Sequence, residues 1–315
     1  MPELVELISS ELNVERSVIS KALEKSHINF KLIKIRKPSG GLRTLMQASS
    51  ELKLIQSWIN INIISALPIS NIATAFHSGA SILVNAGMHK NSLYSVRVDL
   101  SDFFPSIRSA DLIGIFKKSN TYINELSIHD DFEFLIKKAC FNINDELPIG
   151  YLTSPAISNA VMFEIDHLLT SSLKSNSSIF GDSVLSRYAD DFIFSSDKRG
   201  SCKEFVSMIR DTLESTCSPN LKVNEKKTRY MSRKGGSTMI TGLRINNDSE
   251  VGIHANYRDH VRLLLKLFSR GELREDDIEP LRGHIAFIRT ADPGFFTKIS
   301  FKYYEEIERL RNRKN

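Results

Sequence analysis

"VLSRYADDFIFSS", residues Val184 to Ser196, places two adjacent aspartates, Asp190 and Asp191, inside a run that otherwise has the composition of a β-strand. Strands disfavour aspartate, and neighbouring like charges repel by about 1 kcal/mol in water and about 4 kcal/mol near a protein surface. The pair therefore lies at a turn, binds a cation, or does both. The stretch predicts a β-hairpin with an acidic tip.

The composition of the 315-residue chain is that of an ordinary globular protein, with 41% apolar and 25% charged residues. These fractions argue against a disordered chain. Lysine and arginine outnumber aspartate and glutamate by 42 to 37, which gives a formal charge of +5 and a weak indication of a polyanionic partner. Three cysteines without CxxC spacing indicate neither a disulfide framework nor a zinc site.

The N-terminal sequence "MPELVELISS" has acidic residues where a signal peptide needs basic ones. No apolar run approaches the roughly 18 residues that a membrane span requires. We therefore expect a cytoplasmic protein without a membrane segment.

The order of the predicted elements indicates one continuous α+β unit with antiparallel strand pairing. Two short helices come first, and "FKLIKIRKPSGGLRTLM", residues 30–46, then predicts a basic hairpin. "YSVRVDL", residues 94–100, alternates apolar and polar residues and predicts a strand whose polar face ends at Asp99. Ser154 and Pro155 begin a well-signalled amphipathic helix.

The last sixty residues have helical periodicity and carry a basic stripe, in which Arg258, Arg262, Lys266 and Arg270 recur every four residues. The apolar residues between them predict the buried side of this helix: Leu263, Leu264, Leu267 and Phe268. The stripe either contacts a nucleic-acid backbone or is a solvated basic face.

Asp99 closes one predicted strand and the Asp190–Asp191 pair marks a hairpin, so the three carboxylates can converge at the edge of one sheet. Convergent carboxylates favour hard cations, and two Mg²⁺ ions about 3.5 to 4 Å apart can activate an attacking hydroxyl and stabilise a leaving pyrophosphate. The alternative is an Asp-Asp turn without metal.

At these residues the sequence resembles the reverse transcriptases. "YADD", Tyr188 to Asp191, is similar to their YxDD motif, and "VDLSDFF", Val98 to Phe104, is similar to the motif that supplies the first aspartate. "LPIG" and "TSP", within Leu147 to Pro155, resemble the LPQG and SSP elements. Order and spacing agree through residues 30–250. The resemblance implies a right-hand fold with N-terminal helices and fingers at 1–90, a palm at 91–245 with interleaved fingers elements near 110–150, and a helical thumb at 246–315.

The resemblance also implies a role for each matching residue. Asp99, Asp190 and, less directly, Asp191 would bind metal. The remaining expected roles are triphosphate binding by Lys37 and Arg43, nucleotide contact at Phe104 and Gly150, proton donation to pyrophosphate by Lys227 or its neighbour Lys226, and primer positioning by the hairpin at Thr241, Gly242 and Leu243. Ile149 departs from the family pattern, because many relatives have glutamine there. If the strand continues beyond Asp99, Phe103 and Phe104 point to opposite faces.

Two further motifs resemble those of retron reverse transcriptases: "NAGMH", Asn85 to His89, is similar to their NAxxH element, and "ITG", Ile240 to Gly242, to their VTG triplet. Asn85 and His89 are accordingly expected to bind RNA, although a capping asparagine and a structural histidine are the alternatives.

The retron resemblance implies a cognate noncoding RNA as template and primer, a DNA product, deoxynucleoside triphosphate substrates, a separate effector protein, and a role in bacterial defence against phage. A group II intron-like or diversity-generating reverse transcriptase and an inactive polymerase-derived RNA-binding module remain the alternatives.

Overall fold

A computed structural model of the chain describes residues 3–36, 40–118, 126 and 129–313. Its N-terminal part has two short helices, a hairpin and a longer helix, in the predicted order. These elements are α1 (Glu3–Leu12), α2 (Arg16–Glu24), β1 (Phe30–Arg36), β2 (Leu42–Ala48) and α3 (Ser50–Asn62). The β1–β2 pairing is antiparallel, with Phe30 opposite Ala48 and Arg36 opposite Leu42. Lys37 lies outside the described residues.

The middle of the chain forms a five-stranded sheet covered by helices. Its elements are α4 (Ile82–Met88), β3 (Tyr94–Ser101), α5 (Phe103–Ser106), α6 (Ser109–Lys118), α7 (Phe132–Cys140), α8 (Ser154–Ser175), α9 (Ser177–Phe180), β4 (Ser183–Tyr188), β5 (Asp191–Ser196), α10 (Ser201–Ser215), β6 (Lys222–Val223) and β7 (Arg229–Ser232). The strands run in the order β4-β5-β3-β6, with β7 also paired to β3, and these pairings are antiparallel. The predicted α+β class is therefore confirmed.

The C-terminal part combines a small sheet with helices. The elements are β8 (Ser237–Ile240), β9 (Leu243–Asn246), β10 (Val251–Ile253), α11 (Ala255–Ser269), α12 (Ile278–Ala291), α13 (Pro293–Lys302) and α14 (Tyr304–Asn312). The three strands form one antiparallel sheet in the order β10-β9-β8. No helix within the described ranges is both long and apolar enough to cross a bilayer.

Two hydrophobic cores organise these elements. The larger core joins the N-terminal helices to the central sheet, and it includes Leu4, Trp58, Val98 and Phe194. The smaller core lies beneath the C-terminal sheet and helices. Ile240, Leu243 and Ile245 belong to this second core together with the C-terminal helices, and Ala86 of α4 and Ile193 of β5 join it from the middle of the chain. The predicted thumb boundary at 246 stays a prediction.

The buried side of α11 differs from its prediction. Val261 and Leu265 are fully buried, whereas Leu263 is 53% exposed. Leu264, Leu267 and Phe268 are only partly buried. The apolar stripe is therefore rotated toward Val261 and Leu265, because α11 packs against α12 and α14 along that face.

Candidate active site

The three predicted carboxylates meet at one end of the central sheet. Asp99 in β3 lies directly opposite Asp191, the first residue of β5. The β4–β5 turn consists of Ala189 and Asp190, and Ala189 has a left-handed φ of 58°. The carbonyl of Asp190 accepts a hydrogen bond from the amide of Leu100 at 3.0 Å. The hairpin and the neighbouring strand therefore place the carboxylates together, as the sequence predicts.

Two of these carboxylates have cationic partners. Lys227 Nζ lies 2.9 Å and 3.1 Å from the two carboxylate oxygens of Asp99. Arg97 donates to both oxygens of Asp191, from Nε at 2.8 Å and from Nη2 at 2.7 Å. Within the described ranges, Asp190 has no side-chain partner. Asp190 is thus the least compensated carboxylate of the cluster.

The electrostatics follow from this difference. Burial raises the pKa of Asp190, and the charges of Asp191 and Asp99 raise it further. Burial also raises the pKa of Asp191, against the opposing effect of the Arg97 hydrogen bonds and charge. Bringing a cation to the site would relieve the repulsion and favour the ionised carboxylates.

The donor set fits Mg²⁺. This ion usually takes one or two carboxylates and completes its octahedron with water and substrate phosphates. Asp99 and Asp190 supply that number. Among the residues that the structure describes, no group of three or more His, Cys, Asp and Glu side chains is arranged to hold a metal. The metal-binding roles of Asp99, Asp190 and Asp191 stay predictions.

A buried arginine supports the Ala189–Asp190 turn, and sequence reasoning missed it. The fully buried Arg187 pairs with Asp166 of α8 through Nε at 2.8 Å and Nη2 at 2.7 Å. Its Nη1 donates to Asn159 Oδ1 and to the carbonyl of Ala189, both at 3.2 Å. The only signal in the sequence is a pair of opposite charges at otherwise buried positions of a helix and a strand. Arg97 was also missed, because it reads as the polar face of β3.

Gly150 joins the LPIG loop to the N-terminal hairpin. Its φ is +113°, and a Cβ at this position would lie 2.8 Å from the carbonyl oxygen of Met46 in β2. The amide of Met46 donates to the carbonyl of Ile149 at 2.8 Å. The backbone therefore makes the contact between loop and hairpin, whatever side chain Ile149 carries. On the same hairpin, Arg43 is exposed and pairs with Ile35 across the strands.

Phe103 and Phe104 differ in burial, although not for the predicted reason. The strand ends at Ser101, Asp102 has a left-handed φ of 45°, and the two rings lie on the one-turn helix α5. Phe103 is 3% exposed, while Phe104 is half-buried. The Phe104 ring centroid lies 6.3 Å from that of Phe76, which is 43% exposed and was not predicted to belong to the site.

Asn85 and His89 are fully buried, which contradicts their predicted contact with RNA. The two ring nitrogens of His89 lie 2.6 Å from Ser195 Oγ and 2.7 Å from Ser186 Oγ. Burial lowers the pKa of His89 to about 3. A side chain with no exposed surface cannot touch RNA in this structure, so the structural alternative is the correct one for His89. Asn85 is not a capping residue either, because it lies within α4, whose N-cap is Ser81, and its side chain bonds to Ser186 and Thr241.

Comparison with known proteins decides the family. The family described as Reverse transcriptase (RNA-dependent DNA polymerase) matches residues 35–262, which is most of the chain. The chain belongs to the reverse transcriptase family. Retron Ec73 reverse transcriptase of Escherichia coli is 38% identical over 284 residues, covering 89% of this chain and 89% of that relative. Retron Ec83 reverse transcriptase of Escherichia coli is 30% identical over 295 residues, covering 91% and 90%.

A solved structure of apo telomerase from Candida tropicalis matches with a TM-score of 0.48 and 14% identity, covering 90% of this chain and 58% of that chain. Telomerase from Candida albicans in complex with a telomeric RNA fragment matches with a TM-score of 0.46 and 11% identity, covering 90% of this chain and 59% of that chain. This chain thus spans less than two thirds of the telomerase chains.

Family membership establishes the main features of this protein. It is a retron-type reverse transcriptase with the right-hand polymerase fold, and it is an RNA-directed DNA polymerase. An RNA template and deoxynucleoside triphosphates are its substrates, and the family generally uses divalent metal ions.

The hairpin predicted to position the primer has a two-residue turn between β8 and β9. Thr241 has a φ of 46° and Gly242 a φ of 83°, and the flanking Ile240 and Leu243 pair with each other. The side chain of Leu243 is fully buried in the C-terminal core. Leu243 therefore anchors the hairpin in the core. The primer-positioning role of Thr241, Gly242 and Leu243 stays a prediction.

The basic stripe of α11 in this reverse transcriptase has two arginines in ion pairs, followed by two exposed basic residues. Arg258 donates to Asp292 Oδ2 from Nε at 2.9 Å and from Nη2 at 2.5 Å, and Asp292 is buried. This pair ties α11 to the start of α13. Arg262 pairs with Asp259 on its own helix. Lys266 and Arg270 are exposed, and within the described ranges neither forms an ion pair.

Proposed function

We propose that this reverse transcriptase copies part of a cognate structured noncoding RNA into single-stranded DNA, using two Mg²⁺ ions, in the cytoplasm of a bacterium. The proposal extends to defence against phage together with a separate effector protein. The observation that carries it is the meeting of Asp99 with the Ala189–Asp190 turn in a chain that aligns along 89% of its length with a retron reverse transcriptase.

The proposed reaction is attack of a primer hydroxyl on the α-phosphorus of the incoming triphosphate. The new O–P bond forms as the bond to the β-phosphate oxygen breaks, the hydroxyl proton leaves to solvent, and pyrophosphate departs. When bound, the two ions supply Lewis-acid activation of the hydroxyl and neutralise the developing negative charge. Asp99 and Asp190 would hold these ions, and a 2′-hydroxyl of the cognate RNA would serve as the first primer.

Lys227 suits the role of proton donor to the pyrophosphate. Its ammonium group already lies on the Asp99 carboxylate, and its side chain is 60% exposed. A long, exposed side chain can reorient without disturbing the core. In this proposal Lys227 leaves Asp99 when metal and triphosphate arrive and then donates its proton to the leaving group.

The nucleotide lies between the N-terminal hairpin and the palm. Arg43, and Lys37 by family resemblance, bind the triphosphate from the hairpin. Gly150 fixes the backbone beneath it by its close approach to Met46. The partly exposed ring of Phe104 lies under the sugar, where it leaves no room for a 2′-hydroxyl.

Sequencing the nucleic acid that copurifies with the protein from its native host tests this proposal. We expect one predominant structured RNA and a short DNA that stays attached to a ribonucleotide after RNase treatment. The Asp190→Asn variant is the matched control, and we expect it to retain the RNA without the DNA. Recovery of intron RNA, or of DNA copies with substitutions at template adenines, would instead support one of the other reverse transcriptase classes.

The defence role has its own test. Cells carrying the native locus should resist phage, and the Asp190→Asn substitution should remove that resistance. Equal plaque counts with and without the wild-type locus across a phage panel would contradict this part of the proposal and leave the polymerase part intact.

A further inference from the structure

A chain of buried polar side chains connects the catalytic hairpin to the Thr241–Gly242 turn. Ser186 of β4 stands four residues before Asp190, and Ser195 of β5 stands four residues after Asp191. Both hydroxyls bond to the imidazole of His89, at 2.7 Å and 2.6 Å. His89 thus bridges both strands that carry the catalytic turn.

This chain of hydrogen bonds continues from His89 to the β8–β9 turn of the C-terminal sheet. Ser186 Oγ donates to Asn85 Oδ1, and Asn85 Nδ2 donates to Thr241 Oγ1 at 3.4 Å. Thr241 Oγ1 in turn donates to the carbonyl of Ile82 at 3.3 Å. His89, Asn85, Ser186 and Ser195 are all fully buried, so water does not compete for these bonds.

The direction of every hydrogen bond follows from counting protons. A serine hydroxyl has one hydrogen, and Ser186 gives it to Asn85. Ser186 must therefore accept from His89, which places the imidazole proton on Nε2. The unprotonated Nδ1 then accepts from Ser195. All the donors point the same way, from the catalytic strands toward Thr241, so no side chain can be removed without leaving a neighbour unpaired.

The backbone of Thr241, which belongs to this chain of hydrogen bonds, is strained. A β-branched residue with positive φ, such as Thr241 at 46°, is a genuine outlier with a strained backbone. Two-residue turns of this kind favour Asn-Gly or Gly-Gly. Threonine has here what glycine lacks, a hydroxyl that accepts from Asn85 and donates to Ile82.

We propose that Asn85, His89 and Ser186 are positioning residues that fix the Thr241–Gly242 turn relative to the catalytic Asp190, and that Thr241 is retained in a strained conformation because its hydroxyl completes this chain. The inference rests on the proposed role of the turn at the primer terminus. It also gives a common purpose to the two retron-like motifs, "NAGMH" and "ITG", which lie far apart in sequence.

The test compares Thr241→Gly, which removes both the strain and the hydroxyl, with Thr241→Ser, which keeps the hydroxyl. For each full-length protein we would measure the thermal midpoint, the affinity for a preannealed RNA template with a DNA primer, and the maximal rate of single-nucleotide extension. Thr241→Gly should keep the wild-type thermal midpoint and primer–template affinity but extend about tenfold or more slowly, because small misplacements of reacting groups cost this much. Thr241→Ser should stay close to wild type.

Ser186→Ala breaks the same hydrogen-bonded chain two bonds before Thr241 and supplies a double-mutant cycle. The Ser186→Ala and Thr241→Gly effects on extension rate should be less than additive, measured at a temperature where all variants are folded. Wild-type extension by Thr241→Gly, a fall in its thermal midpoint, or fully additive rate effects would each overturn the inference. A wild-type protein that extends no primer would instead contradict the polymerase function on which the inference rests.

Discussion

At the scale of single residues, the clearest contrast is between Phe103 and Phe104. Phe103 is buried in the larger core, and Phe104 faces Phe76 at the edge of the site. We predict that Phe104→Val raises ribonucleotide incorporation relative to deoxyribonucleotide incorporation, because a ring under the sugar excludes a 2′-hydroxyl and offers it no hydrogen bond. Single-nucleotide extension with each triphosphate in turn measures this ratio.

Phe103→Val is the matched control for that substitution. As a large-to-small change in the core, it should cost about 1 to 3 kcal/mol of unfolding free energy and leave the sugar preference unchanged. If Phe104→Val loses stability but keeps its discrimination, the ring belongs to the core and another residue excludes ribonucleotides.

His89 predicts a pH dependence of stability. The folded-state pKa of His89 is about 3, well below the ordinary value of 6.5. The unfolded chain therefore binds a proton that the folded protein excludes, so stability is greatest above pH 6.5 and falls as the pH decreases from 6.5 toward 3. The expected contribution is about 1.4 kcal/mol per pH unit within that window.

Urea denaturation at several pH values tests this contribution. We expect His89→Gln to flatten the loss of unfolding free energy between pH 6.5 and pH 4. The control, His27→Gln at an exposed position, should keep the wild-type dependence. Parallel curves for wild type and His89→Gln would show that His89 is protonated in the folded protein as well.

At this scale, sequence reasoning identified residues whose motif lies at the end of a strand. It failed for residues whose role depends on whether the side chain is buried. Asp99 and Asp190 are recognisable because carboxylates are unusual at those positions. Arg187 was missed because its partner Asp166 is distant in sequence. His89 was assigned to RNA because a sequence does not show whether a polar side chain faces solvent or a buried hydroxyl.

At the scale of elements, the contact between the LPIG loop and β2 is the most sensitive to change. Gly150→Ala would combine an unfavourable φ with a 2.8 Å approach to the backbone of Met46. We expect a loss of about 1 to 3 kcal/mol in unfolding free energy and a higher KM for deoxynucleoside triphosphates, since the displaced hairpin carries Arg43. Steady-state kinetics and chemical denaturation measure the two effects.

Gly114→Ala is the control for Gly150→Ala, because it makes the same change at a glycine with open space around it. Gly114 lies in α6 with nothing within 4 Å of an added Cβ, so alanine should stabilise the helix by about 0.5 to 1 kcal/mol. Unchanged kinetics and stability in Gly150→Ala would mean that the loop and hairpin are not coupled.

Most elements were predictable from periodicity and turn residues, including the basic hairpin, α8 and the strand that ends near Asp99. The strand does not continue to Phe104, so the condition under which Phe103 and Phe104 would point to opposite faces is not met, because Asp102 turns the backbone with a positive φ. The predicted buried face of α11 was wrong. Several leucines satisfy the same helical spacing, and only the neighbouring α12 and α14 select which of them are buried.

At the scale of the whole molecule, the surplus of positive charge suits an RNA partner, and the exposed end of α11 is the part we expect to contribute. Lys266→Ala with Arg270→Ala should weaken primer–template binding and lower the log–log salt slope by about two units at most, one for each phosphate contact. Titrations over a range of salt concentrations measure this slope.

Two other variants serve as controls for the salt-slope measurement. Lys21→Ala with Lys25→Ala removes the same charge from two exposed positions, one in the last turn of α2 and one at its C-cap, and should leave the slope unchanged. Arg258→Ala should mainly destabilise the C-terminal core, because it leaves the buried Asp292 unpaired. An unchanged slope in the Lys266 and Arg270 variant would return this face to ordinary solvated surface.

The α+β class and the order of the motifs followed from the sequence, and the division into two cores did not. Residues 237–245 read as part of the palm because they precede the predicted helices. Their side chains Ile240, Leu243 and Ile245 nevertheless belong to the smaller core together with the C-terminal helices, and Ile193 of the central sheet also joins that core. Such long-range choices of packing partner are absent from local patterns.

The central claim is that Asp99 and Asp190 hold the catalytic metal, and extension of a primer by the Asp190→Asn variant tests it most directly. With Mg²⁺ and a preannealed RNA template, we predict no detectable extension by Asp190→Asn and full activity for Asp182→Asn, an exposed control one residue before β4. The thermal midpoint of Asp190→Asn without Mg²⁺ should equal or exceed that of wild type, because one charge leaves a repelling cluster. Extension by folded Asp190→Asn at a rate near that of wild type would contradict the claim.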